Sequence, residues 1–511
     1  MGIKKVETKT KFVDELIIGA GLTGLLYGIT LLEGKKNVAI VEGHIYPGGY
    51  ATGFVRNKRK YKFDCSQHKI TGLSENGNLR DVLKRLGLWE KLEFNYFDEL
   101  FSINVNGEYY DIPGNIEAIE LYLNKKFPDE KKGLDNFFND INTIGYQNYM
   151  FARMLLGEYK LNRDLLPETR ALQKLTAKEY FQSLFSNETL IEVLSSTAMY
   201  LGTNANEANA VYFLHYLYTA FGTKSGYVLG TGLALSKFLL QEFKDRGGYI
   251  SLKDTVHDIE LKDNHIYKIK SHKHEFITDT LIATCAPHNV VNMISDFPGK
   301  QQFKEKLNQL EFGGGHFCVY MITDVEPVKL GFEKEEYIMV SEHGDLLTQE
   351  EKESNDRYDM LSLSVTNYHK MDPDCGNTIQ LVVLDHKSDW FELSEEDYLK
   401  KKEMIENKLI ERAYNYFPGL KGHIHYKESS TPRTNKKYTN SPEGSSFGYK
   451  ISPNDNLRFL ANHKVKGLKF AGTWTSGAGY EAAICQGFMH AKISLKNKLS
   501  TNLNSIESSQ L

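Results

Sequence analysis

Two glycine turns with an acidic residue between them carry the first chemical signal. Gly19-Ala20-Gly21-Leu22-Thr23-Gly24 follows an apolar strand pattern over residues 13–18 and runs into a helical pattern from Leu25 to about Leu32. A second strand pattern over residues 37–41 ends on Glu42, with Gly43 beside it. Strand, glycine turn, helix, strand and acid in that order form the fingerprint of a dinucleotide site. Gly19 allows the tight turn, Gly21 lets the backbone approach a pyrophosphate, and Gly24 draws the helix onto the strand. The free amides of the helix start, at Leu22 and Thr23, favour anionic phosphate. Glu42 is spaced to accept both ribose hydroxyls of an adenosine and disfavours a 2′-phosphate.

Next comes Pro47-Gly48-Gly49-Tyr50-Ala51-Thr52-Gly53-Phe54, and then Tyr61-Lys62-Phe63-Asp64-Cys65-Ser66-Gln67-His68. A second glycine pair just past the ribose acid lets backbone amides reach the flavin side of a cofactor. Near the C-terminus, Phe470-Ala471-Gly472-Thr473-Trp474 leads through Gly477 and Gly479 into Tyr480-Glu481-Ala482-Ala483, and a helical pattern continues to about Lys492. A strand entering a glycine turn and then a helix presents unpaired amides at a positive helix end.

With these segments the chain resembles the phytoene desaturase, carotenoid isomerase and retinol saturase group of flavoproteins. The likeness extends through Phe127-Pro128 with Gly133-Leu134-Asp135-Asn136-Phe137-Phe138, and through Gly230-Thr231-Gly232, Gly247-Gly248 and Thr255-Val256. It is most specific in Thr431-Pro432-Arg433-Thr434, Tyr438-Thr439 and the run from Pro442 to Gly448. The resemblance implies FAD, bound on an α/β two-dinucleotide-binding-type (Rossmann-like) domain that carries an inserted mixed α+β substrate domain. It implies that the Val256 backbone meets adenine. It also implies that the turn and helix start around Gly472, Thr473, Gly479, Glu481, Ala482 and Ala483 face the flavin and the pyrophosphate. Three positions depart from the group's pattern: Tyr50 replaces a frequent Arg, Ser66 a usual Gly, and Glu481 a frequent Pro or aliphatic residue. Amine oxidases often carry Glu at that last position.

The residues available for proton chemistry are few. His68, four residues past Asp64, either exchanges a proton beside the ring or packs there without doing so. Asp64 is expected to position its strand or a flavin hydroxyl rather than to act as a base, and His316 to be an ordinary loop histidine, with a strand start that reaches the cavity as the alternative. Cys65 and Cys485 flank cofactor segments without a cation to activate them. The sequence contains no nucleophile elbow, kinase signature or metal-ligand spacing. The chemistry is therefore expected to be the flavin's own: desaturation, saturation or isomerisation at C–C bonds of an apolar, polyene-like substrate. The alternatives are amine oxidation at a C–N bond, with oxygen as acceptor, and a non-catalytic FAD-binding partner subunit.

The elements that must hold these residues divide into a discontinuous FAD domain (1–105, 226–300 and 455–498), a substrate domain (106–225 and 301–454) and a disordered tail (499–511). Aromatic-rich helical patterns at 146–156 and 210–221 serve either as plain core or as tunnel lining and membrane-docking surface. Residues 259–279 alternate as a β-meander does. A formal net charge of -4 argues against nucleic-acid binding. Five scattered cysteines suggest reduced thiols and a cytoplasmic protein. No apolar run fits a membrane span, which leaves peripheral membrane contact open.

Overall fold

The computed structural model describes residues 9–507 apart from 67, 161–166, 342–346, 348–350, 352–353, 386–388, 454 and 456, with the side chains of 168 and 497–507 also outside the description. Its first layer is a five-stranded sheet in the order Tyr249–Ser251, Val38–Val41, Glu15–Ile18, Leu281–Ala283, Leu468–Phe470. Every neighbouring pair in it is parallel. A parallel sheet is covered on both faces, so its strands read as unbroken apolar runs; Glu15–Ile18 and Val38–Val41 are buried at every position.

Helix Leu22–Glu33 covers one face together with Thr231–Asp245 and the last helix, Tyr480–Glu507. The first and last helices meet closely because Gly487 has no side chain: a Cβ there would lie 2.5 Å from the Thr23 carbonyl oxygen. On the opposite face lies the meander Val256–Lys262, His265–Ser271, His274–Ile277, with Lys9–Phe12 added in parallel to its last strand.

The second layer is a seven-stranded sheet ordered Ile424–Ser430, Gly315–Thr323, Thr378–Asp385, Leu363–Asn367, Glu336–Met339, Glu99–Val105, Glu108–Pro113. Helix Glu395–Tyr416 packs on it through Ile405, Leu409 and Ala413. Beside it, helices Lys131–Leu155, Ala177–Leu184, Glu188–Ser195 and Ala210–Gly222 share an aromatic core that includes Phe137, Phe181 and Phe213.

Three expected boundaries move. Residues 99–105 pair into the second sheet, not the cofactor domain, because their strand finds its partners there. Helix Lys300–Asn308 buries Phe303 and Leu307 with the meander core, so the first domain continues past residue 300. The last helix runs through Glu507, into the stretch expected as a tail, and residues 508–511 lie outside the described residues.

Candidate active site

The first turn is a backbone device. Gly19 sits at φ +103°, and a Cβ on it would lie 2.5 Å from Thr284 Oγ1. A Cβ on Gly24 would come within 2.1 Å of the Gly19 carbonyl oxygen, so only glycine lets the helix start this close to the turn. Helix Leu22–Glu33 therefore begins directly after Gly21, earlier than its apolar pattern suggested. The second turn is tied to the first, with the Gly48 N–H donating to the Ala20 carbonyl at 2.8 Å. Glu42 accepts the Ala20 and His44 amides, both at 2.7 Å. Burial pushes the Glu42 carboxyl up, against the downward pull of the neighbouring amides.

These turns open on one continuous cavity of about 2090 Å³. Small-molecule pockets are typically about 300–1,000 Å³, so this volume exceeds what a single ligand needs. Gly19, Gly21, Leu22, Thr23, Glu42, Gly43, Gly48, Gly49, Tyr50, Val256, Thr473, Gly479, Glu481, Ala482, Ala483 and His68 all line it. Gly24 and Gly472 stand behind the wall. Gly24 sets the helix contact just described, and the Gly472 N–H donates to Gln486 Oε1 at 3.1 Å.

Two of the three departures, Tyr50 and Ser66, are joined to each other. Ser66 Oγ donates to the Tyr50 carbonyl at 2.6 Å, and the Tyr50 hydroxyl donates to the Ser445 carbonyl at 2.9 Å. The Gly48–Gly49 loop is thereby fastened to the 431–448 block. Asp64 is buried and accepts the Gly232 N–H at 2.7 Å, the Ser66 N–H at 3.0 Å and the Tyr227 hydroxyl at 3.2 Å, which is a positioning role. Cys65 and Cys485 border the cavity as neutral thiols, since burial pushes both well up.

Glu481 stands in the first turn of the last helix. Thr71 Oγ1 donates to one carboxyl oxygen, and the other is buried without a partner. Burial raises this carboxyl to about 7.

His68 heads a buried polar cluster that sequence reasoning missed. Its Nδ1 lies 2.8 Å from Glu336 Oε1 and 3.1 Å from Thr366 Oγ1. The Tyr200 hydroxyl donates to the same carboxylate, and Lys69 Nζ donates to its other oxygen. Lys69 also sits 3.5 Å over the Phe101 ring. Burial opposes the charge on Glu336, yet Lys69 and His68 hold its carboxyl below the usual range. Burial in turn lowers the Lys69 ammonium, against the pull of Glu336. The available sequence signals were Lys69 directly beside His68 and a lone acid in the otherwise apolar strand Glu336–Met339.

The second aromatic-rich helix is core on one face and cavity lining on the other, and the first also contributes lining. Phe213 and Leu217 are core, while Tyr212, His215, Tyr216 and Thr219 face the cavity. Tyr149 and Ala152 line it from helix Lys131–Leu155, whose Tyr146 is exposed. His316, expected as a loop residue, instead belongs to strand Gly315–Thr323 and lines the cavity with Nδ1 3.0 Å from Ser446 Oγ. Burial holds His215 near 4, so it is neutral.

The family described as NAD(P)-binding Rossmann-like domain matches residues 17–86. The all-trans-retinol 13,14-reductase of Danio rerio is 22% identical over 536 residues, covering 95% of this chain and 86% of the relative. The chloroplastic prolycopene isomerase of Arabidopsis thaliana is 22% identical over 525 residues, covering 95% and 84%. Over nearly its whole length the chain is thus similar to a retinol reductase and to a prolycopene isomerase. Its fold is shared more widely: cyclohexylamine oxidase from Brevibacterium oxydans IH-35A superposes with a TM-score of 0.60 at 13% identity, covering 96% of this chain and 99% of that one. The chain is thus an enzyme of the oxidoreductase type with a Rossmann-like dinucleotide-binding fold. Among its described residues no helix is long and apolar enough to cross a membrane.

Proposed function

We propose that this protein is an FAD-dependent oxidoreductase acting on C–C bonds of an apolar, polyene-like substrate, by desaturation, saturation or flavin-dependent isomerisation. One observation carries the reading: a single cavity joins the glycine turns and Glu42 to the aromatic helix faces of the inserted domain. Cofactor and substrate thus share one enclosure. The full-length likeness to a retinol reductase and a prolycopene isomerase supports the same chemistry.

The residues present fit FAD. Glu42 would hold the adenosine ribose, and Val256 would border the adenine. The amides after Gly21 would meet the pyrophosphate. Gly48, Gly49, Ala482 and Ala483 would meet the flavin half. FAD, when bound, supplies the hydride or electron exchange. The protein's own part is to exclude water, orient the substrate and move a proton. His68 is the candidate for that transfer. Glu336 is an acceptor-only carboxylate, so His68 Nδ1 carries the hydrogen that faces it. Nε2 remains as the nitrogen able to take a proton from a substrate carbon or to return one. Replacing His68 with Gln should lower kcat about 10²–10⁴-fold while leaving the flavin spectrum unchanged; a kcat within twofold of wild type would remove His68 from this role.

Peripheral membrane contact belongs to the same reading, because Tyr146 and Leu155 are exposed on the helix whose Tyr149 and Ala152 line the cavity. Co-sedimentation with phosphatidylcholine vesicles tests this part. Protein that stays in the supernatant removes it.

The deciding experiment is the visible spectrum of the purified protein, recorded anaerobically before and after reduction, with retinol, a carotene panel and an amine panel. Flavin bands that amines leave unmoved, with polyene absorption shifting only after reduction, support a saturase or isomerase. Bands that bleach with an amine and recover in air would overturn the C–C reading. A colourless protein that FAD cannot reconstitute would overturn the cofactor as well.

A further inference from the structure

The cavity-facing side of helix Ala210–Gly222 is polar within an aromatic surround. Tyr212, His215, Tyr216 and Thr219 follow one another at intervals of three, one and three residues and share one face. Three of the four have protein partners for their hydroxyls. Tyr212 meets the Ala478 backbone and Tyr216 meets Thr197. Thr219 Oγ1 donates to the Tyr216 carbonyl at 2.8 Å. His215 has no hydrogen bond to any described residue, and its Nδ1 is buried without a partner.

That asymmetry fixes the tautomer. A neutral imidazole carries one N–H and one bare nitrogen. An orphaned buried N–H is rarer in folded proteins than an under-satisfied acceptor, so the bare nitrogen is Nδ1. The hydrogen sits on Nε2, the ring atom that is not shut away, and the ring lines the cavity. The result is an uncharged donor in a largely apolar chamber, where a ligand without an acceptor leaves it unpaired and is selected against.

Building on the functional reading above, we infer that His215 recognises an uncharged oxygen, a hydroxyl or carbonyl, on an otherwise apolar polyene substrate. The site would therefore favour an oxygenated polyene over a pure hydrocarbon. Because the imidazole is held neutral by its burial, it offers no charge to a carboxylate.

The test is a pair of titrations on the FAD-loaded full-length protein, read by quenching of its intrinsic fluorescence. The probes are all-trans-retinol and the hydrocarbon that carries methyl in place of its CH₂OH group. Wild type should bind retinol about fivefold more tightly, the contribution of one typical hydrogen bond. His215→Phe should weaken retinol alone and bring the two within about twofold. His215→Gln, which keeps an N–H donor, should restore part of the preference. Equal binding of the two probes by wild type would overturn the inference and leave the polyene reading standing. So would equal weakening of both probes in His215→Phe. Failure of both probes to bind would take down the polyene reading and this inference with it.

Discussion

The two walls of the cavity are made of different material. The proposed cofactor wall is backbone: Gly19, Gly21, Gly48 and Gly49 matter for the side chains they lack, and they act within one strand–turn–helix unit or its neighbour. The proposed substrate wall is side chains: His68, Lys69, Tyr200 and His215 line the cavity, and with Glu336 behind them they come from four separate segments of the chain. A backbone wall is set by local sterics and leaves a short, readable pattern. A side-chain wall is set by long-range packing, and no spacing rule records it. The first should fail all at once when a Cβ intrudes, and the second should respond in a graded, electrostatic way.

The sharpest break is Gly24→Val. Its first added atom falls within 2.1 Å of a backbone carbonyl oxygen, and backbone in a tight turn cannot rotate aside as a side chain does. Ordinary overpacking costs about 1–3 kcal/mol, and this clash lies beyond that range. The expected outcome is loss of soluble protein carrying flavin bands. A variant that purifies with a normal flavin spectrum would show that the turn is softer than the comparison holds.

The graded counterpart is Glu336→Gln. The amide can still accept from Tyr200 or His68, but Lys69 is left as a buried cation without its counter-charge. Removing one partner of a buried pair costs about 3–5 kcal/mol, whereas replacing both is often nearly neutral. The thermal midpoint should fall in Glu336→Gln, and Lys69→Met added to it should recover more than half the loss. The sign with pH follows from the depressed carboxyl. Its stabilisation is fully present above the unfolded carboxylate value, about 4.3, and is lost as pH falls through the lower folded value. The gap between wild type and variant should therefore close in acid. A gap that persists below about pH 3 would mean that packing rather than charge holds the cluster.

The same contrast explains what could be read in advance. The parallel sheet, the first helix, the meander and the turn glycines were legible because each obeys a local rule of period or of missing Cβ. The limits of the cofactor domain were less so: residues 99–105 look like any strand, and only their partners in the other sheet assign them. His68 stood out by its place in a known motif. Glu336 did not, because its importance lies in meeting Lys69 and His68 from more than 260 residues away. His215 was hidden inside an aromatic run, where one face is core and the other is cavity.

Glu481 lies where the two walls meet, and it should show the smallest effect. It is a helix-start carboxyl of the cofactor segment, yet it is held by Thr71 and buried with one oxygen unpaired. Its folded value of about 7 is above the usual 4.5. A raised carboxyl holds its proton longer in the folded state, so unfolding releases protons between the two values. Stability from this group is then full below about pH 4 and declines as pH rises towards 7, by up to about 3 kcal/mol at 1.36 kcal/mol per unit. Glu481→Gln keeps the shape and removes the ionisation. It should abolish that slope and leave the apoprotein more stable than wild type at pH 8, with little difference at pH 4. Equilibrium unfolding at the two pH values checks it. Equal stabilities at pH 8 would mean that the carboxylate finds solvent or a partner when it ionises, placing Glu481 with the exposed helix-start acids that a helix dipole favours.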